Sequence, residues 1–385
     1  MNILMLTPDY YPNNYGGIGI HVYELSHKLA DLGNKVTVIN VRMDYFLSNE
    51  YSYIHDGLLT VISFESKGKM GFHHSDIYSY RSNYNSITIM DSLFSELKDD
   101  FDIIHVHDHY CALLFDVLKQ VYPKAHLVTS IHSCKADSMF FEDSIRRFVS
   151  FSTNAVIANS QFIKQQLINK YGINERSITV AECGVNWPER IIKETPQYIS
   201  YLGRISIDKG VDTLINGYNN LHQKNHKIPP LFIAGEGDFT TGAKQLVREL
   251  NLEAVIHFCG HIDHSHINEF MSKSYIHILP SKYEAYGLSA IEAMSYGVPV
   301  IASNVGGLKK IIKDYENGLL FTVGDYSQLS EKMRLLLTDD ALRNRISTQA
   351  REDSKHMSSN DMVEIVMSVY KSIKDAPLVQ RNSRI

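Results

Sequence analysis

At 385 residues the chain is too long for one ordinary hydrophobic core, so two domains are expected. Its 44% hydrophobic and 21% charged residues are typical of a soluble globular protein, and a net charge of −5 gives no reason to expect nucleic acid. No apolar run approaches the roughly 18–20 residues that span a bilayer. Cys111, Cys134, Cys183 and Cys259 lie far apart, without metal-ligand or redox spacing. Reduced thiols and a cytoplasmic location follow as expectations. The start of the chain lacks a basic stretch ahead of its short apolar run, so it reads as a first strand rather than a signal peptide.

Ile3–Leu6 reads as a buried strand, followed by Gly16-Gly17-Ile18-Gly19 and a helix from about Ile20 to Leu32 that stops at Gly33. Further strands are expected at Val36–Val41, Leu59–Phe64, Ile103–His107, His126–Ser130, Ala155–Ala158 and Ile178–Ala181. The polar, aromatic stretch 65–86 reads as a long surface loop. Short apolar strands separated by helices predict a parallel sheet covered on both faces.

The pattern restarts after the polar segment Asn186–Gln197, which carries Pro188 and Pro196. Strands are expected at Tyr198–Leu202, Leu231–Ala234, Val255–Phe258, Ile276–Leu279 and Val300–Ala302. The prediction is therefore two doubly wound α/β domains facing across a cleft. They are an N-terminal domain 1–187, a linker 188–197, a C-terminal domain 198–374 whose last helices could cross back, and a tail 375–385. Ligands in such sheets sit outside the carboxyl ends of the strands.

The chemistry-bearing residues fall at those ends. Glu284 and Glu292 stand eight positions apart around Gly287-Leu288. A strand end, a glycine turn and a helix start suit a diphosphate, because exposed N–H groups and the helix dipole favour anions. Two acids flanking that site suit the hydroxyls of a nucleoside diphosphate sugar. The apolar surroundings of Glu292 predict a buried helix. Arg204 and Lys209 share one loop and could both reach an anion, Arg by a forked contact and Lys as a point charge. Gly235 and Gly237 could permit close backbone approach to a ligand, and Gly260 ends a strand where a base could rest.

Taken together, Gly203-Arg204, Lys209-Gly210, Gly235-Glu-Gly237, Pro280-Ser281, Glu284, Gly287-Leu288, Glu292-Ala-Met, Gly297-Val-Pro and Gly306-Gly307 resemble the retaining GT-B glycosyltransferases of family 4 type. Gly16-Gly17 with His21 and Glu24, Asp102-Ile-Ile-His105-Val-His107-Asp108, and Thr129-Ser-Ile-His132 have counterparts in the same family. The resemblance implies the GT-B fold and metal-independent transfer from a nucleotide-sugar donor. Arg204 and Lys209 would neutralise the donor diphosphate, and backbone at Gly287 and Leu288 would contact phosphates or sugar. Glu284 would hold the transferred sugar and Glu292 the ribose diol. Gly17 would let its loop approach the diphosphate, and His132 would lie near the reaction centre. A covalent double displacement needs two carboxyls about 5 Å apart, and none is evident. The family is associated instead with a front-face route.

Some readings are set aside and others stay open. Asp100-Phe-Asp102 precedes a strand rather than ending one, so it is not read as a metal motif. His105, His107, Asp108, His109 and His132 invite a metal reading, but no metal is expected, and the resemblance explains His105-Val-His107-Asp108 as strand-end packing and acceptor-side structure. Arg42 and Met43 follow the second strand where a dinucleotide enzyme needs an acid. No lysine precedes Gly16-Gly17, where Asn14 and Tyr15 stand, which argues against a glycogen or starch synthase using an ADP-sugar. The residues do not separate hexose from N-acetylhexosamine. The acceptor is an unidentified hydroxyl on a saccharide, a lipid-linked molecule or a small natural product. The segment 138–152, aromatic with Arg146 and Arg147, reads as a packed helix, with weak peripheral membrane contact as the alternative. An epimerase or hydrolase of the same fold, or a non-catalytic partner protein, remains the alternative function. The oligomeric state is open.

Overall fold

The computed structural model describes residues 1–12, 16–41, 45–69, 93–94, 97, 99–108, 114–134, 146–147, 150–188, 194–224 and 227–375. Contacts divide the chain into one unit of Met1–Glu182 with Asn360–Ile385 and a second of Cys183–Ser359. The first boundary thus falls a few residues before the polar segment, and the last helix is counted with the first unit.

In the first unit the strands are β1 (Asn2–Thr7), β2 (Lys35–Asn40), β3 (Tyr45–Asp56), β4 (Leu59–Lys69), β5 (Ile103–His107), β6 (His126–Ile131), β7 (Ala155–Ala158) and β8 (Ile178–Val180). They form one sheet in the order β3-β4-β2-β1-β5-β6-β7-β8. All pairings are parallel except β3 with β4. Side chains alternate between faces, and both faces are covered, so β1 is continuously apolar from Ile3 to Leu6. Ile3 and Met5 pack with Val22, Leu25, Val363, Val366 and Tyr370 on one face. Leu4 and Leu6 pack with Ile39, Ile104, Val106 and Phe115 on the other.

The second unit holds β9 (Tyr198–Leu202), β10 (Leu231–Ala234), β11 (Ile256–Gly260), β12 (Ser274–Leu279), β13 (Val300–Ser303) and β14 (Leu319–Phe321). Their order is β11-β10-β9-β12-β13-β14, all parallel. Ile199, Tyr201, Ile233, Ile276 and Ile278 face one helical layer with Leu214 and Tyr218. Ala234, Leu279, Val300 and Ala302 face the layer containing Ala290 and Met294. These are two parallel-sheet α/β domains.

Several expectations are corrected. Residues 65–69 are not loop but the end of β4, paired antiparallel with β3. The rest of the expected loop, 70–86, lies outside the described residues. The first helix starts at Gly17 rather than near Ile20. Asp102 serves packing: it accepts the Asn2 N–H at 2.9 Å and pairs with Lys374 at 2.8 Å. His109, Cys111, the segment 138–145 and the tail 376–385 lie outside the described residues, as do residues 189–193 of the linker. Among the described residues no helix is long and apolar enough to cross a membrane.

Candidate functional site

In the second sheet β9 and β12 lie side by side, and the strand order runs away from them in opposite directions. Their carboxyl ends therefore mark the topological switch point, where open α/β sheets bind ligands. The loop after β9 carries Arg204 and Lys209, and the loop after β12 carries Glu284. Gly210 joins the two loops. Its φ is +68°, and a Cβ there would sit 1.9 Å from the Pro280 carbonyl oxygen. Only glycine accepts both that conformation and that approach.

This contact brings Lys209 Nζ to 2.8 Å from Glu284 Oε2, with the side chains 23% and 14% exposed. Ser281 Oγ donates to the same oxygen at 3.3 Å. The Glu284 backbone is fixed as well: its carbonyl accepts the Gly307 N–H at 2.9 Å, and Gly306 is packed so closely that a Cβ would lie 1.9 Å from it. Three residues on, Gly287 at φ +114° opens the helix Leu288–Ser295, which has no side-chain cap. The first N–H groups of that helix are donors its own turns do not use. A carboxylate, an ammonium and a helix N-terminus thus converge at one strand end.

Arg204 is the more exposed cation, at 54%, and sits 3.4 Å from Asp208 Oδ2. Asp208 also accepts from Ser206 Oγ, and its carbonyl takes the Lys282 N–H at 2.8 Å. Asp208 is a holder of both loops that the sequence reading missed. Glu292 departs from expectation. The helix buries Ala290, Ile291, Ala293 and Met294, but Glu292 is only half-buried. Its neighbours in sequence, not its own side chain, face the core. Gly235 and Gly237 are held by tight backbone packing. Their close approach is to the chain itself, with a Cβ at Gly235 falling 1.9 Å from Gly203 O and one at Gly237 2.2 Å from Ile205 O. Gly235 N donates to Gly260 O at 2.7 Å, so these glycines pack the ends of β9, β10 and β11 together.

Gly17 and His132 belong to the first unit. Gly17 is the first residue of its helix, and Gly16 before it is extended, its N–H donating to Asp9 Oδ2 at 3.1 Å. A Cβ on Gly16 would meet nothing within 4 Å, so packing does not demand glycine there. His132 follows β6 and is buried, with Asn159 Nδ2 donating to its carbonyl at 3.0 Å. Its Nε2 lies 3.3 Å from His107 Nδ1. Burial holds His132 below the usual imidazole range, and the Asp108 carboxylate partly opposes this.

Residues 186–353 match the family model described as glycosyl transferases group 1, and residues 15–187 match that of glycosyltransferase family 4. The glycogen synthase of Mycobacterium tuberculosis is 27% identical over 91% of this chain and 90% of its own length. Among solved structures, sucrose-phosphate synthase from Thermosynechococcus elongatus superposes with a TM-score of 0.82 at 20% identity, covering 97% of this chain and 99% of that one. Anabaena HepE, solved in complex with UDP-glucose, gives 0.77 at 16% identity, covering 97% and 100%.

Proposed function

Since the chain belongs to the group 1 glycosyltransferases of GT-B fold, we propose that it moves a hexose or N-acetylhexosamine from a UDP-sugar to an acceptor hydroxyl, with retention and without a metal ion. The reading rests on the Lys209–Glu284 pair set against the uncapped start of the helix Leu288–Ser295. The UDP-glucose complex of the Anabaena neighbour supports the choice of donor.

In this reading Arg204, Lys209 and the helix N-terminus stabilise the charge that gathers on the departing diphosphate. Backbone at Gly287 and Leu288 contacts phosphate or sugar. Glu284, held by Lys209 and Ser281, takes hydroxyls of the transferred sugar and steadies positive charge at its anomeric carbon. Glu292 binds the ribose diol, which suits a carboxylate left partly open to solvent. Gly235 and Gly260 shape the floor for the nucleotide. Gly17 and His132, both of the first unit, keep the roles that the family resemblance implies for them, toward the diphosphate and the transferred sugar. The anomeric carbon–phosphate oxygen bond breaks, the acceptor oxygen bonds the same face, and its proton passes to the departing phosphate oxygen.

The test compares nucleotide binding with turnover. UDP should raise the melting temperature of the wild type, because a ligand bound only by the folded state stabilises it. Glu292→Ala should weaken UDP binding about 10–100-fold, the range for a hydrogen bond to a charged group. Glu284→Ala should keep UDP affinity and lower kcat by roughly 10²-fold. No thermal shift with any nucleoside diphosphate or its sugars would refute the donor assignment, and equal loss of UDP affinity in both variants would refute the two roles.

A further inference from the structure

His21, on the helix Gly17–Asp31, and His107 and His132, at the carboxyl ends of β5 and β6, meet in the first unit. Their exposures are 4%, 0% and 5%. One nitrogen from each ring lies within 4.8 Å of the others. The rings of His21 and His132 are 4.7 Å apart and those of His21 and His107 5.6 Å. His21 Nδ1 and His107 Nε2 are buried with no hydrogen-bond partner. Buried polar atoms are seldom left so, and each such atom calls for an occupant. The His105 ring lies tilted against that of His107, with centroids 4.1 Å apart, but both its nitrogens are engaged, by Ser130 Oγ at 2.7 Å and Tyr370 OH at 2.6 Å. It is a buttress, not part of the open set.

We propose that His21, His107 and His132 form a binding site for a divalent transition-metal cation of the zinc class. Zinc–imidazole bonds of about 2.0–2.1 Å set tetrahedral nitrogens about 3.3 Å from one another. His107 Nδ1 and His132 Nε2 already stand 3.3 Å apart in an N–H···N hydrogen bond, whose proton moves to the opposite nitrogen of its ring when both ligate. The third nitrogen must close in by at most about 1.5 Å, which side-chain rotation supplies. Three imidazoles leave one position of a four-coordinate ion open. The ion is not a participant in transfer. Occupancy would withdraw His132 from the role proposed for it, so the cation is an inhibitor, a consequence that rests on that reading.

The experiment is a Co(II) titration of the tag-free full chain, followed by the visible bands of four-coordinate cobalt. One equivalent should saturate the bands, and Zn(II) should displace it. His21→Ala and His107→Ala should each weaken binding by roughly 100-fold or more, beyond the 10–100-fold cost of losing an outer-shell partner. Circular dichroism checks folding, and if His107→Ala unfolds, His21→Ala carries the comparison. The exposed Cys259 is controlled by Cys259→Ser, which should leave the bands unchanged. Absent bands, or bands that survive both histidine variants as an adventitious ion only, would overturn the site. Normal bands without inhibition of transfer by Zn(II) would support the site and count against the role of His132.

Discussion

Gly33 and Gly210 both hold left-handed backbone, at φ +81° and +68°, but only Gly210 is enclosed by other atoms. A methyl at Gly33 meets nothing within 4 Å, so Gly33→Ala should cost only the backbone penalty of about 1–2 kcal/mol. At Gly210 the methyl strikes the Pro280 carbonyl, and the loops carrying Lys209 and Glu284 must part. Gly210→Ala should therefore cost a further ~1–3 kcal/mol, as overpacking does, and should lower transfer activity. Urea unfolding of the two variants side by side checks this, and equal costs would show that the loops relax freely. The two glutamates, the two cations and the Gly287 turn were all legible as residue types at strand ends. What the sequence could not show is who holds them. Asp208, Ser281 and Gly306 act through contacts made only when three loops meet, and no spacing along the chain encodes that.

At the scale of elements, legibility followed burial. Strands covered on both faces are continuous apolar runs, and those were placed within a few residues. The strand β3 was missed because an antiparallel edge can keep one face in water, and Tyr45–Asp56 mixes serine, acids and aromatics. Only the fold reveals that Tyr51 packs on Phe64 across the hairpin, with ring centres 5.5 Å apart. The strand β14 spans only Leu319–Phe321, too short to carry a period. One buried element also sets a pH dependence. His277 on β12 is fully buried, bonded to Ser200 Oγ at 2.9 Å, and burial lowers its pKa to about 3. The unfolded chain takes up a proton below about 6.5 while the folded chain does not. Stability from this group is thus present above pH 6.5 and lost as pH falls toward 3. Between pH 7.5 and pH 5 the loss is about 2 kcal/mol. Denaturant melts at both pH values should show His277→Gln with a correspondingly smaller drop than the wild type. An unchanged drop would mean that His277 protonates in the folded protein.

The whole molecule is discontinuous in sequence: the first unit leaves off at Glu182 and resumes at Asn360. Met362, Val363, Val366, Val369 and Tyr370 fill its core. At about 1.5–3 kcal/mol for each buried side chain, their removal forfeits roughly 10 kcal/mol, comparable to the stability of an entire domain. A chain ending at Ser359 should therefore leave the first unit unfolded while the second still melts cooperatively. Trp187, the only tryptophan, reports on the second unit. Its Nε1 donates to Ser354 Oγ at 3.1 Å, and Arg351 lies 4.4 Å from its ring. Tryptophan fluorescence should keep a transition while amide exchange protection in β1 and β5 is lost. Wild-type protection in those strands would overturn the expectation. The helix Ser359–Lys374, which carries those five residues, sets a timetable for biosynthesis. The ribosome makes β1 first, but the helix that closes over it emerges only after the whole second unit has been made. At ~5–20 residues per second that interval is roughly 10–35 s. The nascent first unit waits through it with an apolar face open, so chaperone demand should fall on the half of the protein that is translated earliest.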